Sequence, residues 1–236
     1  MNDDVSRETP SAPEAAGRVF LTTLPVAERF AGMLATEGVL RGLLGPRELP
    51  RLWERHLVNC ALIAEGIPSG VSLCDIGSGA GLPGLALAIA RPDLRITLVE
   101  PLLRRTTFLD EAVQELALGN VVVVRGRAEA LHGAVDFDVV TSRAVAPLDR
   151  LARWSLPLVA PGGVLLAMKG SSAQHEIDSA ATVIHSLGGR SATIQRYGAH
   201  LVDAPATVVR ILVPAVCPGG RPSGAGVSEN ETSGRA

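Results

Sequence analysis

The sequence predicts a doubly wound α/β fold, in which helices cover both faces of a sheet. A short apolar strand at residues 71–76 runs through a glycine-rich loop into a helix-compatible segment that begins at Leu82. Strand-like and helix-like segments then alternate along the chain, as they do in folds of this class. An acidic residue, Glu100, ends the second strand 23 residues after Gly77, a spacing typical of sheets that bind a nucleoside.

Apolar runs bounded by glycine, proline and polar residues predict about seven strands. The third is a continuous β-branched run, which is typical of a strand buried on both faces of a parallel sheet. Segments with helical periodicity connect most of these strands, and glycines end several of them. The predicted strands cover residues 71–76, 95–99, 121–124, 137–141, 164–168, 191–197 and 206–213.

A helical extension is predicted before the sheet. Residues 25–37 carry apolar side chains at helical spacing, and a second helix begins near Pro50, because proline is favoured at the first helical position. Its motif RLWERHLVNC contains Trp53 and His56, which we interpret as packing the extension onto the sheet, with substrate contact as the alternative. The predicted organisation is a disordered tail at 1–17, a helical extension at 18–70, a catalytic domain at 71–214 and a disordered tail at 215–236.

The glycine-rich loop, DIGSGAGLPG, predicts the ligand. Gly77 and Gly79 permit positive φ angles and let a ligand approach the main chain closely. A dinucleotide-binding loop would need a small residue where this chain has Leu82. Asp75 does not suit a pyrophosphate, whereas a carboxylate can pair with the ammonium group of an amino acid. S-adenosylmethionine has such an amino-acid end, and we predict it as the ligand.

The other candidate site residues follow later strands, whose carboxyl ends face the ligand in open α/β sheets. Glu100 is placed to accept hydrogen bonds from both ribose hydroxyls. The loop RGRAEAL would bring Ala128 and Glu129 beside the base, with helix capping as an alternative. Arg143 would bind a cofactor carboxylate or a phosphate, or form an ion pair with Asp75 or Glu129 within the site. Lys169 would bind phosphate or remain an exposed residue at the end of its strand.

Composition and charge limit the function. Hydrophobic residues make up 47% of the chain, enough for a sizeable core. The cysteines, Cys60, Cys74 and Cys217, form no metal-ligand pair and indicate a reducing compartment. We expect a cytoplasmic protein with no metal and no membrane contact, since the sequence contains neither a signal segment nor a span. A net charge of −2 disfavours a tight, free-standing nucleic-acid binder, so RNA recognition would be local.

Six motifs between about residues 25 and 213 carry a resemblance to a known family: PRELPRLWERHLVNC, DIGSGAGLPG, VEPLLRRTTFL, RGRAE, TSRAVAPL and PGGVLLAMKG. This set resembles the RsmG family, also called GidB, of bacterial ribosomal RNA methyltransferases. The resemblance implies a Rossmann-like class I methyltransferase sheet, S-adenosylmethionine as methyl donor and N7 of a guanine in 16S ribosomal RNA as acceptor. It also implies cofactor contacts from Gly77, Leu82, Ala128, Glu129 and Arg143.

Methylation at guanine N7 suits the absence of an obvious catalytic base. N7 has a free lone pair and no proton to lose, so catalysis would rest on positioning. The chain reads SRAV after the fourth strand, where enzymes that methylate exocyclic amines commonly carry an Asn/Asp-Pro-Pro-aromatic motif. Arg143 and Lys169 would then position substrate or cofactor groups. Because the net charge is weakly acidic, we expect small-subunit particles to be better substrates than naked RNA.

Three other functions stay open at this point. A small-molecule methyltransferase would use the same cofactor-binding half, and only the helical extension argues against it. A nicotinamide-dependent oxidoreductase would need a small residue at position 82. A noncatalytic cofactor sensor has no supporting motif.

Overall fold

The computed structural model describes residues 9–143 and 145–215. The α-helices in this part of the chain are α1 (Glu14–Phe20), α2 (Leu24–Met33), α3 (Asn59–Leu62), α4 (Gly84–Ala90), α5 (Leu103–Glu115), α6 (Leu148–Ser155) and α7 (Ala173–Ser186). The strands are β1 (Ser72–Ile76), β2 (Arg95–Glu100), β3 (Val121–Arg125), β4 (Phe137–Arg143), β5 (Val159–Met168), β6 (Arg190–Tyr197) and β7 (Ala206–Leu212).

The strands form one mixed sheet in the order β3-β2-β1-β4-β5-β7-β6. Strands β1 to β5 run parallel, whereas β7 pairs antiparallel with both β5 and β6. The predicted doubly wound sheet of seven strands is therefore confirmed. Its order reverses between β1 and β4, so the loops after these two strands diverge and leave a crevice at their carboxyl ends.

Alternate side chains of each central strand enter two different cores, because successive strand residues point to opposite faces of the sheet. On one face, Leu73 and Leu98 belong to a cluster with residues of α4, α5 and the N-terminal extension. On the other face, Cys74 and Val140 belong to a cluster with residues of α6 and α7. The sheet is consequently buried on both sides over its central strands.

The extension is helical but irregular. Helix α2 continues into a π-helical turn at Leu34–Gly38. A 3₁₀ turn at Pro46–Arg51 leads into a π-helical segment at Leu52–Val58, which α3 then continues. The helix predicted from Pro50 thus begins earlier, at Pro46. This region shares a hydrophobic cluster with β1, β2 and α4. The domain boundary that we propose at residue 70 therefore does not separate two hydrophobic cores.

The predicted disordered tail at 1–17 is wrong at its C-terminal end. Helix α1 begins at Glu14 and buries Ala16 completely. The indole N–H of Trp53 donates a hydrogen bond of 2.7 Å to the carbonyl of Pro10. A helix of seven residues is unstable in isolation, so it depends on tertiary packing. Residues 1–8 of this tail, and residues 216–236 of the predicted C-terminal tail, lie outside the described residues.

Within the described ranges, no helix is long and apolar enough to cross a membrane.

Candidate cofactor and substrate cleft

A cleft of about 1310 Å³ opens at the carboxyl ends of β1, β2, β4 and β5. The glycine-rich loop and the end of β2 line one side. The end of β4 and the end of β5 line the other. The extension contributes the remaining wall, through Leu43, Leu44, Glu48, Arg55, His56 and Asn59. The predicted residues Gly77, Gly79, Leu82, Glu100, Arg143 and Lys169 all line this cleft.

The glycine-rich loop exposes main chain to the cleft. Gly77 and Gly79 have φ angles of 70° and 58°, in the left-handed region that favours glycine. A Cβ atom on Gly79 would meet only the carbonyl oxygen of Gly77, at 3.7 Å, so the space above this residue is open. The loop is held from below, because the N–H of Gly77 donates to the carbonyl of Val99 at 2.8 Å. A flat, polar ligand can therefore lie directly against this backbone.

Asp75 does not line the cleft, and its predicted contact with a cofactor ammonium stays a prediction. Its side chain is fully buried beneath the loop, where Oδ2 accepts a hydrogen bond of 2.9 Å from the N–H of Gly84. Oδ1 has no hydrogen-bond partner. Burial raises the pKa of the Asp75 carboxyl to about 7, although the N–H of Gly84 opposes this shift. Asp75 therefore holds the start of α4 in place. Its position in the sequence motif did not predict this contact.

Glu100 occupies the predicted position at the end of β2. Its side chain is only 1% exposed, yet it borders the cleft. Oε2 accepts the N–H of Gly79 at 3.1 Å, and Oε1 accepts the N–H of Leu102 at 3.1 Å. Arg105, on the following helix, approaches Oε2 at 3.4 Å. Each carboxylate oxygen can accept two hydrogen bonds, so Oε1 retains capacity for a ribose hydroxyl.

Arg143 reaches from the end of β4 to the extension rather than to an acidic partner in the sheet. Its Nη1 lies 3.0 Å from Nδ1 of His56. Nε2 of the same ring lies 2.9 Å from Oε2 of Glu48. The ion pair with Asp75 or Glu129 considered as an alternative is not formed. His56, interpreted mainly as a packing residue, also lines the cleft.

Lys169 is engaged in a partly buried ion pair. Its Nζ lies 2.7 Å from Oε2 of Glu176 on α7, and it also donates to the carbonyl of Ala146 at 2.7 Å. The same Glu176 oxygen accepts the N–H of Leu148 at 3.0 Å. Burial opposes ionisation of Glu176, but hydrogen bonds from Lys169 and Ser172 together hold its pKa below the usual value. Lys169 thus fixes the segment after β4 to α7.

Ala128 and Glu129 do not line the cleft. They form a short 3₁₀ turn after β3, in which Ala128 is buried and Glu129 is exposed. Their predicted contact with the base stays a prediction.

Several cleft residues carry no signal in the sequence. Val145 and Met168 supply apolar surface to the cleft. Asn59 and His56 share one helical face, three residues apart, and this spacing is visible in the motif RLWERHLVNC. No local pattern places Arg143 beside that helix, because the contact joins residues 87 positions apart.

This arrangement fits S-adenosylmethionine on its own chemistry. Open main chain at Gly79 and the carboxylate of Glu100 suit a nucleoside, and the apolar side chains of Leu82, Val145 and Met168 suit a ring or thioether. Within the described residues, no group of three His, Cys, Asp or Glu side chains could hold a metal ion.

Comparison with known proteins decides the family. A family model described as rRNA small subunit methyltransferase G, GidB, matches residues 23–202. The chain belongs to this family. It is 60% identical over 213 residues to ribosomal RNA small subunit methyltransferase G from Nocardioides sp., covering 90% of this chain and 85% of that protein. It is 55% identical to the protein of the same name from Streptomyces avermitilis, covering 90% of each. The predicted family and enzyme class are thereby confirmed.

Solved structures of low sequence identity share the GidB chain's fold. A predicted O-methyltransferase from Agrobacterium tumefaciens matches with a TM-score of 0.51 and 18% identity, covering 66% of this chain and 80% of that chain. The CurJ carbon methyltransferase matches with a TM-score of 0.50 and 16% identity, covering 85% and 69%. These similarities confirm the predicted class I methyltransferase sheet.

Proposed function

We propose that this GidB family member transfers the methyl group of S-adenosylmethionine to N7 of one guanine in 16S ribosomal RNA. The observation that carries the proposal is the family match over residues 23–202. The glycine-lined cleft supports it, because this cleft has the open main chain and the strand-end carboxylate that a nucleoside cofactor requires. S-adenosylmethionine supplies an electrophilic methyl group on a sulfonium. The chain's own residues bind and orient the two reactants.

Each of the three carboxylates that line the cleft in the described residues already has a partner, which supports a reaction without a general base. Glu48 faces His56, Glu100 accepts two main-chain N–H groups, and Glu176 faces Lys169. Both ring nitrogens of His56 also have partners. Guanine N7 carries a lone pair and needs no deprotonation. Placing N7 in line with the methyl group, about 3 Å away, supplies on the order of 7 to 11 kcal/mol of the barrier reduction.

The natural substrate that we propose is the small ribosomal subunit or its assembly intermediate, in the cytoplasm, where this RNA is found. The net charge of −2 provides little of the phosphate neutralisation that binding to naked RNA depends on. A folded particle offers shape and bound protein as additional contacts. Specificity would then come from the particle as well as from the cleft.

The test is methyl transfer from labelled S-adenosylmethionine to small-subunit particles isolated from cells that lack the enzyme, followed by chemical cleavage at 7-methylguanine. We expect one new cleavage site, and slower labelling of protein-free 16S RNA. Equal rates on both substrates would contradict the particle preference. Cofactor binding without labelled RNA would contradict the RNA substrate, and assays with metabolites would follow.

A further inference from the structure

A hydrogen-bonded chain of three side chains connects the extension to the end of β4. It runs from Glu48 through the imidazole of His56 to the guanidinium of Arg143, with separations of 2.9 and 3.0 Å. His56 is 7% exposed, so water has little access to the ring. Arg143 also donates to the main-chain carbonyl of Arg55 at 3.4 Å. All three side chains border the cleft.

The geometry determines the protonation of His56. A guanidinium only donates hydrogen bonds, so Nδ1 of His56 must be the acceptor. Nε2 then carries the proton and donates to the carboxylate of Glu48. The ring is neutral in this arrangement. A second proton would sit on Nδ1 and face the N–H of Arg143, and the contact would be lost.

We propose that His56 is a positioning residue, whose neutral ring, oriented by Glu48, holds the guanidinium of Arg143 at the cleft for binding of cofactor or RNA. The proposal rests on the proposed function, in which Arg143 contacts one of these ligands. An arginine side chain has many rotamers, and fixing it before the ligand arrives lowers the entropy cost of binding. The extension therefore contributes to the site in two ways. Some of its side chains line the cleft, and His56 holds Arg143 in place.

The surroundings of His56 favour the neutral ring. The charged groups that face it are Glu48 from the preceding turn, Arg55 from its own helix and Arg143 from β4. Burial lowers the pKa of His56, and the charge of Arg143 lowers it further, against the opposing effect of Glu48. Cys60, one helical turn later, has its thiol pKa raised to about 11 by burial and stays neutral. Acid must therefore overcome both burial and Arg143 to protonate the ring.

The test compares methyl transfer by His56→Phe, His56→Asn, Arg143→Met and the double variant His56→Phe with Arg143→Met. Phenylalanine fills the space without an acceptor, and we expect kcat/KM to fall about tenfold, as for loss of a hydrogen bond to a charged group. Asparagine can place its oxygen near the position of Nδ1 and should restore part of this loss. In the Arg143→Met background, His56→Phe should cause no further loss. His185→Asn on α7, an exposed histidine outside the cleft, is the matched control.

The pH profile separates positioning from packing. Wild-type kcat/KM should fall on the acid side as His56 becomes protonated. This limb should disappear in His56→Asn, which does not titrate, and move to lower pH in Glu48→Gln, because Glu48 favours the charged ring. Additive losses in the double variant, or an unchanged acid limb in His56→Asn, would overturn the proposal.

A second measurement does not depend on activity. Long-range ¹H–¹⁵N NMR spectra of the wild-type protein should show His56 as the neutral Nε2–H form at pH 7, and a charged ring or the Nδ1–H form would overturn the proposal. This spectrum decides the outcome even where His56→Phe fails to fold. An inactive wild-type protein with the expected spectrum would count against the proposed function while leaving the contact between His56 and Arg143 in place.

Discussion

At the scale of single residues, we expect Asp75 to make the stability of the protein depend on pH. Its folded-state pKa of about 7 lies above the ordinary value of 3.8, so the folded state binds this proton more tightly than the unfolded state does. Stability therefore falls as pH rises from about 4 to 7 and does not return above that range. The shift corresponds to a loss on the order of 4 kcal/mol, at about 1.4 kcal/mol per unit.

Asp75→Asn should remove this loss, because the amide keeps an oxygen for the N–H of Gly84 and carries no charge. Urea unfolding at pH 5 and pH 8 measures the difference. We expect the free energy of unfolding of the variant to decrease less than that of the wild type between these pH values. Asp110→Asn, on the exposed side of α5, is the control and should follow the wild type. Parallel curves for Asp75→Asn and wild type would mean that the carboxyl is not protonated near neutral pH.

At the scale of elements, the pair of Lys169 and Glu176 joins the end of β5 to α7 and holds the segment after β4. The side chains are 7% and 21% exposed, so removing the lysine leaves a partly buried carboxylate without its partner. Lys169→Met should lower the free energy of unfolding by about 1 to 3 kcal/mol, less than for a fully buried pair because Glu176 retains some solvent contact. Lys169→Met with Glu176→Gln should regain much of this stability.

The same double variant tests the predicted role of Lys169 in positioning substrate or cofactor. If the lysine acts only by fixing the segment at Ala146 and Leu148, methyl transfer should recover together with stability. Recovered stability with methyl transfer still lost would instead indicate direct contact between Lys169 and a substrate or cofactor group. Denaturant unfolding and the particle assay, performed on the same preparations, separate the two outcomes.

At the scale of the whole molecule, the extension and the sheet share one core and should unfold together. Trp53 is 4% exposed, and its ring meets that of Phe20 edge to face at 6.4 Å. Trp53→Ala should lower the free energy of unfolding by about 3 to 5 kcal/mol. The chain has two tryptophans, so Trp154 on α6 is the only one in this variant, and it reports on the opposite face of the sheet.

We expect the unfolding transition followed by Trp154 fluorescence in Trp53→Ala to move to lower denaturant and to coincide with that followed by far-ultraviolet circular dichroism. Trp53→Phe, which keeps most of the packing but loses the hydrogen bond to Pro10, should lie between this variant and wild type. A Trp154 transition that stays at the wild-type midpoint would show that the extension folds separately from the sheet.

Sequence patterns predict the elements that depend mainly on neighbouring residues. Strand runs, the glycine-rich loop and the acid at Glu100 are enough to locate the sheet and one side of the cleft. The same reasoning misses α1, whose seven residues need the packing of Trp53 and Phe20 around them. It also does not predict that β7 runs antiparallel between β5 and β6, because the order of strands in a sheet is set by long-range contacts.

The sequence by itself determined the family, the doubly wound sheet, and the strand ends at which Gly77, Glu100, Arg143 and Lys169 stand. These features follow from hydrophobic periodicity and from short motifs, both of which involve residues that are close together in the sequence. Only the tertiary structure decided what each side chain touches. It buried Asp75 beneath the loop, paired Lys169 with Glu176 and joined Arg143 to His56. Hydrogen bonds of this kind form only when segments that are distant in the sequence are placed to within a few tenths of an ångström of the required position. No local sequence pattern encodes that placement.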